Sequence, residues 1–314
     1  MKGTIRGKTK AFRKGFKRDW QLYLLILIPL IYILIFCYGP MYGVQIAFRN
    51  FRPRDGIFGS QWVGLQWFKE FLQNIKFQTI FKNTIILAVY NLLVSFPLPI
   101  IFALILNAMR GKRYKKVVQT VSYVPHFISI TVMVSIMNMV LSPSVGIYGN
   151  LFRLFGGVGY PSDFRSLEGA FRHLYVFSGV WQQLGWNSII YTSALSAVSP
   201  ELHEAAKIDG ATRLKRIWHV DLPAIKPTIM IMFIMRCGDI VSIGFEKVYL
   251  MQTSLNLNVS EVISTYVYKV GMSSFRDYSY GAAVSLFNTA INVTLLLIVN
   301  YISRRVTDNE VSLF

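Results

Sequence analysis

Apolar residues in this chain fall in long uninterrupted blocks, not in the short alternating or amphipathic runs of a water-soluble domain. Trp20–Phe48, Asn83–Met109, Val117–Phe152, His173–Pro200 and Tyr278–Ser303 contain no Asp, Glu, Lys or Arg. One helical crossing of a bilayer takes about 20 apolar residues, so the blocks trim to spans over 21–40, 83–108, 117–140, 173–197 and 280–302. A sixth block, read as a span over 228–251, carries Arg236, Asp239, Glu246 and Lys247. The pattern predicts an all-α polytopic membrane protein with six transmembrane helices. They occupy one domain over 20–306, between a basic tail at 1–19 and a short tail at 307–314.

The segments between blocks are polar and asymmetric. Basic residues concentrate in the first tail (Lys2 to Arg18), after the second span (Arg110 to Lys116), after the fourth (Lys207 to Lys226) and after the sixth (Arg304, Arg305). With six spans these fall on one side, and clusters of Lys and Arg resist translocation. Both termini are therefore expected in the cytoplasm. Of the outer segments, 41–82 holds the turn signal Arg52-Pro53-Arg54-Asp55-Gly56 and the interfacial pair Trp62 and Trp67. Segment 142–172 reads as a Gly- and Pro-rich loop, and 252–279 as holding a short helix through Val262, Ile263, Tyr266 and Val267.

Composition agrees with the pattern. The 314 residues are 53% hydrophobic and 15% charged, against about a quarter charged in soluble domains. The net charge of +18 lies at membrane edges, where it faces anionic lipid, and not on a nucleic-acid-binding surface. The first apolar run is too long for a signal peptide and lacks a cleavage site, so it is expected to be retained. Cys37 and Cys237 lie inside spans with no metal-ligand spacing, and no nucleophile–base pair stands out.

The most informative stretch is the basic loop at 199–225. Ser199 suits a helix cap, Pro200 its first turn and Glu201 its positive end, while Gly210 ends it. Leu202, Ala205 and Ala206 share a face beside Glu204. Thr212 caps a second short helix that is expected to stop before Pro223. Such a hairpin of small side chains suits a groove on another protein.

Glu204-Ala205-Ala206, then Gly210, Val220 and Leu222-Pro223, resembles the EAA motif of binding-protein-dependent ABC importer permeases, with Val in the usual Ile place. Trp62-Val63-Gly64-Leu65, Asn83-Thr84, Asp209-Gly210-Ala211 and Phe245-Glu246-Lys247-Val248-Tyr249-Leu250 extend the likeness to the maltose-type carbohydrate permeases and their LplB-like branch. The resemblance implies a type I importer permease in a bacterial cytoplasmic membrane. Its coupling set would be Glu204, Ala205, Ala206, Asp209, Gly210, Leu222 and Pro223. Implied partners are a second permease subunit, two ATPase subunits that bind ATP and Mg, an extracellular solute-binding lipoprotein and a carbohydrate. The chain itself has no phosphate-binding Gly-x4-Gly-Lys-Ser/Thr loop, which independently calls for a separate ATPase.

Intramembrane polar residues supply pathway candidates. Arg236 and Asp239 are three apart on one helical face and must pair or face a wet cavity. Trp181, Gln182, Trp186, Asn187, Asn288 and Asn292 combine aromatic faces for sugar C–H surfaces with amides for hydroxyls. Each of these also suits ordinary helix packing. His126, beside Pro125, reads as a kink and packing site, and His203 and His219 as contacts to solvent or to the ATPase. Arg49, Arg52 and Arg54 suit an acidic sugar or, equally, lipid headgroups. The alternative to an ATP-driven importer is an ion-coupled secondary transporter, which would move its solute without an ATPase.

Overall fold

A computed structural model describes residues 18–109, 111–238, 240, 243–272 and 277–306. Residues 1–17 of the expected first tail and the whole expected tail at 307–314 lie outside them, as does Asp239.

The described residues are mostly helical, with almost no strand. α1 (Trp20–Phe48) is a continuous 29-residue rod, and Arg49–Asn50 then pairs antiparallel with Gln61–Trp62 in a two-residue ladder. α2 (Gln66–Gln73) leads into α3 (Phe77–Ala108, 32 residues). α4 (Lys112–Phe127) and α5 (Ile130–Val140) meet at 101°. α6 (Ile147–Leu154) precedes α7 (Glu168–Ser196), and α8 (Pro200–Ile208) turns into α9 (Arg213–Gly238). α10 (Phe245–Met251), α11 (Ile263–Met272) and α12 (Tyr278–Val306) follow, and two single turns, Gly56–Gly59 and Leu257–Ser260, lie between the longer elements.

Among the described residues four helices, α1, α3, α9 and α12, are long and apolar enough to cross a bilayer, and the bent α4–α5 pair makes a fifth if it is one span. α7 has the length, at 29 residues, but its Gln, Asn and Ser content makes it less apolar than these. The helix boundaries differ from the expected span boundaries at several points. The expected span 117–140 is two helices, because Pro125 and the extended Ile128 break the ladder. The expected span 228–251 ends as a helix at Gly238 and resumes in the separate α10. Segment 142–172, read as loop, holds α6, seated where Gly149 packs so tightly on Pro143 that a Cβ would lie 1.9 Å from its carbonyl oxygen.

Three packed clusters hold the bundle. Ile100 and Ala103 of α3, Tyr191 and Leu195 of α7 and Ile225 of α9 meet near the end that carries α8. Leu87, Met133, Phe171, Val176, Val248 and Val262 join α3, α5, α7 and α10 toward the other end. Beside the latter, Phe71, Ile80, Ile263, Tyr266, Tyr280 and Val284 form an aromatic-rich cluster uniting α2, α3, α11 and α12. In lipid, helices associate through close packing and not through removal of apolar surface from water, so small residues mark the contacts. At Gly185 a Cβ would sit 2.2 Å from the carbonyl oxygen of Ser122, which fixes how near α4 lies to α7. α1 differs from the rest: its apolar window is 0% buried, with Leu25 and Ile28 each 68% exposed.

Candidate functional site

Two sites emerge, one at the α8–α9 hairpin and one at the break between α4 and α5.

The hairpin is set by its caps. Ser199 Oγ accepts from the Glu201 amide, and the chain leaves α8 through Gly210 at φ +72°. Ala211 N–H donates to Ala206 O and Gly210 N–H to Lys207 O, the paired bonds that close a helix on a left-handed residue. Thr212 Oγ1 accepts from the Lys215 amide and opens α9. The expected stop before Pro223 does not occur. The backbone widens into a π-turn over Ile217–Asp221, which makes room for a proline ring that would otherwise strike the carbonyl four residues back, and the helix runs on to Gly238. The hairpin is thus the rigid end of a long helix.

Large apolar side chains stand uncovered on the hairpin. Leu202 is 54% exposed, Ile208 87%, Leu214 70% and Trp218 65%, with Glu204 and Ala205 also exposed between them. Asp209 and Gly210 lie exposed at the turn, Ala206 and Leu222 are half-buried, and Pro223 is exposed. At the root, the buried Asp221 ties the parts together. His203 Nε2 lies 3.3 Å from Asp221 Oδ1, and Asn107 Nδ2 of α3 donates to the same oxygen at 3.2 Å. His203, expected to contact solvent or a partner, is engaged here instead. Asp221 escaped the sequence reading because it is one polar residue in a charged loop; only the fold brings Asn107 to it.

The second site answers an accounting problem. A helix broken inside a bilayer leaves carbonyls with no water to bind. Gln182 of α7, 4% exposed, donates Nε2 to Ile128 O at 2.7 Å, and Ser129 Oγ caps α5 by accepting from the Val132 amide. His126 Nδ1 lies 2.9 Å from Gln183 Oε1. The His126 ring stacks on Trp186 with centroids 4.1 Å apart and planes 3° from parallel, and Phe127, 75% exposed, meets the same indole edge-on. Gln182, Gln183, Trp186, His126 and Phe127 therefore form one polar–aromatic ledge at the mid-length of α7. His126 and Phe127 were missed as members; the Pro125 kink was their one local signal.

Other candidates stand apart. Trp181 and Trp186, five residues apart, are about 140° around the helix and point to different sides. Asn187 is half-buried on α7. Asn288 and Asn292 lie on α12, which packs against α9, α11, α2 and the last part of α1, and Asn288 Oδ1 is buried without a hydrogen bond. Arg236 is exposed on α9, and its expected mate Asp239 is outside the described residues. Arg49 does not join a free cationic cluster. Its guanidinium donates to Ser60 O at 2.9 Å and lies over the Trp62 ring, leaving only Arg52 and Arg54 exposed.

α10 sits between the break and α7. Thr131 donates to Glu246 Oε1 at 2.9 Å, and Lys247 Nζ donates to Tyr175 O at 2.6 Å while lying over the Tyr175 ring. Gly179 leaves room for that ammonium, which would be 2.9 Å from a Cβ there.

Against known proteins, residues 95–308 match the family described as binding-protein-dependent transport system inner membrane component. Protein LplB of Bacillus subtilis (strain 168) is 42% identical over 95% of this chain and 93% of its own length. The polygalacturonan/rhamnogalacturonan transport system permease protein YteP of the same organism is 42% identical over 90% of this chain and 88% of its own. A solved bacterial ABC transporter involved in the import of the acidic polysaccharide alginate contains a chain 37% identical, with TM-score 0.85, covering 95% of this chain and 99% of that one. A second structure of a bacterial alginate ABC transporter, in complex with an alginate pentasaccharide-bound periplasmic protein, matches at 36% identity and the same TM-score.

Proposed function

The chain belongs to the family of binding-protein-dependent transport system inner membrane components, and from that membership we propose that it imports an oligosaccharide bearing uronate groups. The solute is delivered by an extracellular binding protein, and transport is driven by two separate ATPase subunits that bind ATP and Mg. A second permease subunit completes the channel. In this reading six helical units cross the membrane, with α7 as the most polar of them and the bent α4–α5 pair as one. Both termini and the α8–α9 hairpin face the cytoplasm. An acidic sugar is favoured because YteP is named for polygalacturonan and rhamnogalacturonan and the solved transporter for alginate.

The observation that carries the coupling assignment is the exposure of the apolar Leu202, Ile208, Leu214 and Trp218 on the same hairpin as Glu204. Side chains of this kind, uncovered on a capped hairpin continuous with a long helix, suit a cleft on the ATPase. Closure of the ATPase pair would push on α8, and α9 would carry the displacement into the bundle as a rigid lever. The ledge at the α4–α5 break is the proposed solute contact in this chain, with Trp186 offering an aromatic face and Gln183 an amide. Arg236 is the proposed cation for a uronate, and Trp181, Asn187, Asn288 and Asn292 stand as further pathway candidates.

The test is ATP-driven uptake in vesicles holding the assembled importer. Glu204→Ala and Gly210→Pro should reach the membrane in normal amount yet lower uptake per ATP hydrolysed about tenfold, the effect of losing an interface anchor worth 1–2 kcal/mol. Normal coupling in both variants rejects the hairpin's role. For the substrate, Arg236→Gln should depress uptake of a uronate oligosaccharide more than that of a neutral one of equal length. Equal depression of both removes the charge assignment.

A further inference from the structure

A cavity of about 390 Å³ opens at the root of the hairpin, bounded by Asn107 to Met109 at the end of α3, by His203 and Lys207 of α8 and by Arg213, Arg216, Ile217 and Asp221 of α9. Its charge is lopsided: Lys207, Arg213 and Arg216 face one carboxylate, Asp221, which is already shared between His203 and Asn107. None of the three cations forms a salt bridge among the described residues. The Nε–H of Arg216 is buried from solvent with no hydrogen-bond partner, an expensive condition for a charged donor unless something fills the space before it. The first turn of α9 adds the positive end of its dipole to the same wall.

We propose that this cavity is an anion site for a phosphate group, held between Lys207 of α8 and Arg213 and Arg216 of α9. Guanidinium forks match tetrahedral phosphate oxygens, and an ammonium supplies the third charge. The volume accepts a phosphate with part of the group it esterifies. Because α3 ends at the cavity, the phosphate of an anionic lipid at the membrane edge reaches it as readily as a free phosphate does. A bound phosphate bridges α8 to α9, across the joint also tied by the His203–Asp221 contact, and so stiffens the hairpin. The site is independent of the transport reading; it rests on this chain's own residues and is tested without uptake.

Full-length protein in neutral-lipid nanodiscs is melted with inorganic phosphate against sodium chloride at matched ionic strength. Phosphate should raise the melting midpoint beyond chloride. The variant K207Q/R216Q should weaken the apparent phosphate affinity about tenfold or more, the scale of losing charged hydrogen bonds. R113Q/K116Q, which removes the same charge from α4, should keep the wild-type response. D221N, which deletes the repelling carboxylate, should tighten phosphate binding, a gain that mere damage to the hairpin cannot produce. Native mass spectrometry then counts retained phosphatidylglycerol against phosphatidylcholine. Selective retention by the wild type and not by K207Q/R216Q identifies a lipid phosphate, and a phosphate effect without it identifies a soluble one. A phosphate response no larger than chloride's, an unchanged response in K207Q/R216Q, or weaker binding in D221N overturns the proposal.

Discussion

Gln182 shows how much one side chain can carry in a membrane protein. It serves the carbonyl of Ile128, freed where the span breaks. Gln182→Leu keeps the volume and orphans that oxygen, which should cost about 1–3 kcal/mol. The loss should appear as a lower unfolding midpoint in detergent, with Ser129→Ala, which removes only the cap of α5, costing about 1 kcal/mol. Gly185 is the steric counterpart: Gly185→Val must push α4 off α7, and a midpoint within error of the wild type would show that the two helices do not need this approach. Outside the spans, the guanidinium of Arg165 at 2.5 Å holds the Asp163 carboxyl below the usual carboxylate range. A lowered folded pKa stabilises above the unfolded value of about 3.9 and is lost as pH falls through the folded one. The pair is about a third exposed, so Asp163→Asn should cost at most about 1 kcal/mol at neutral pH. Melting curves of the two proteins should converge as the pH drops below about 4.

Among elements, legibility tracked how local the signal was. Ser199, Gly210 and Thr212 mark their caps and turn within a few residues, and each is found in that role. Pro223 misled because its ordinary effect, stopping a helix, was cancelled by a π-turn that ends at Asp221, whose carboxylate accepts from Asn107, a residue 114 positions away. The same distance argument separates Pro125, a visible kink, from the 101° bend it becomes once Gln182 secures the far side. α10 was folded into a span because its residues are apolar on average. Its Glu246 and Lys247 look like interfacial charges in sequence, yet Lys247 is buried against Tyr175.

At the scale of the molecule, the chain divides into a packed bundle and a helix, α1, that meets it only through its last part, Tyr42–Phe48, on α12. Leu87 is 0% exposed in a cluster drawn from four helices, so Leu87→Ala should lower stability by about 2–5 kcal/mol. Leu25→Ala and Ile28→Ala in α1 remove side chains that touch little else in this chain, and detergent unfolding of the isolated protein should barely register them. If α1 lies against a second permease subunit, the same two variants should matter in the assembled importer, and comparison of the two states measures that contact directly.

What the sequence alone determined was what short-range rules decide: membrane residence, from block lengths matched to a bilayer; an all-α architecture, since backbone groups in lipid must bond within the segment; and the permease family, from a motif whose spacing is local. The tertiary structure alone decided which polar groups meet. Asp221 with Asn107 and His203, Gln182 with Ile128, and Lys247 with Tyr175 are pairs far apart in the chain, and buried polar atoms choose partners by three-dimensional proximity, which no local pattern of residues encodes.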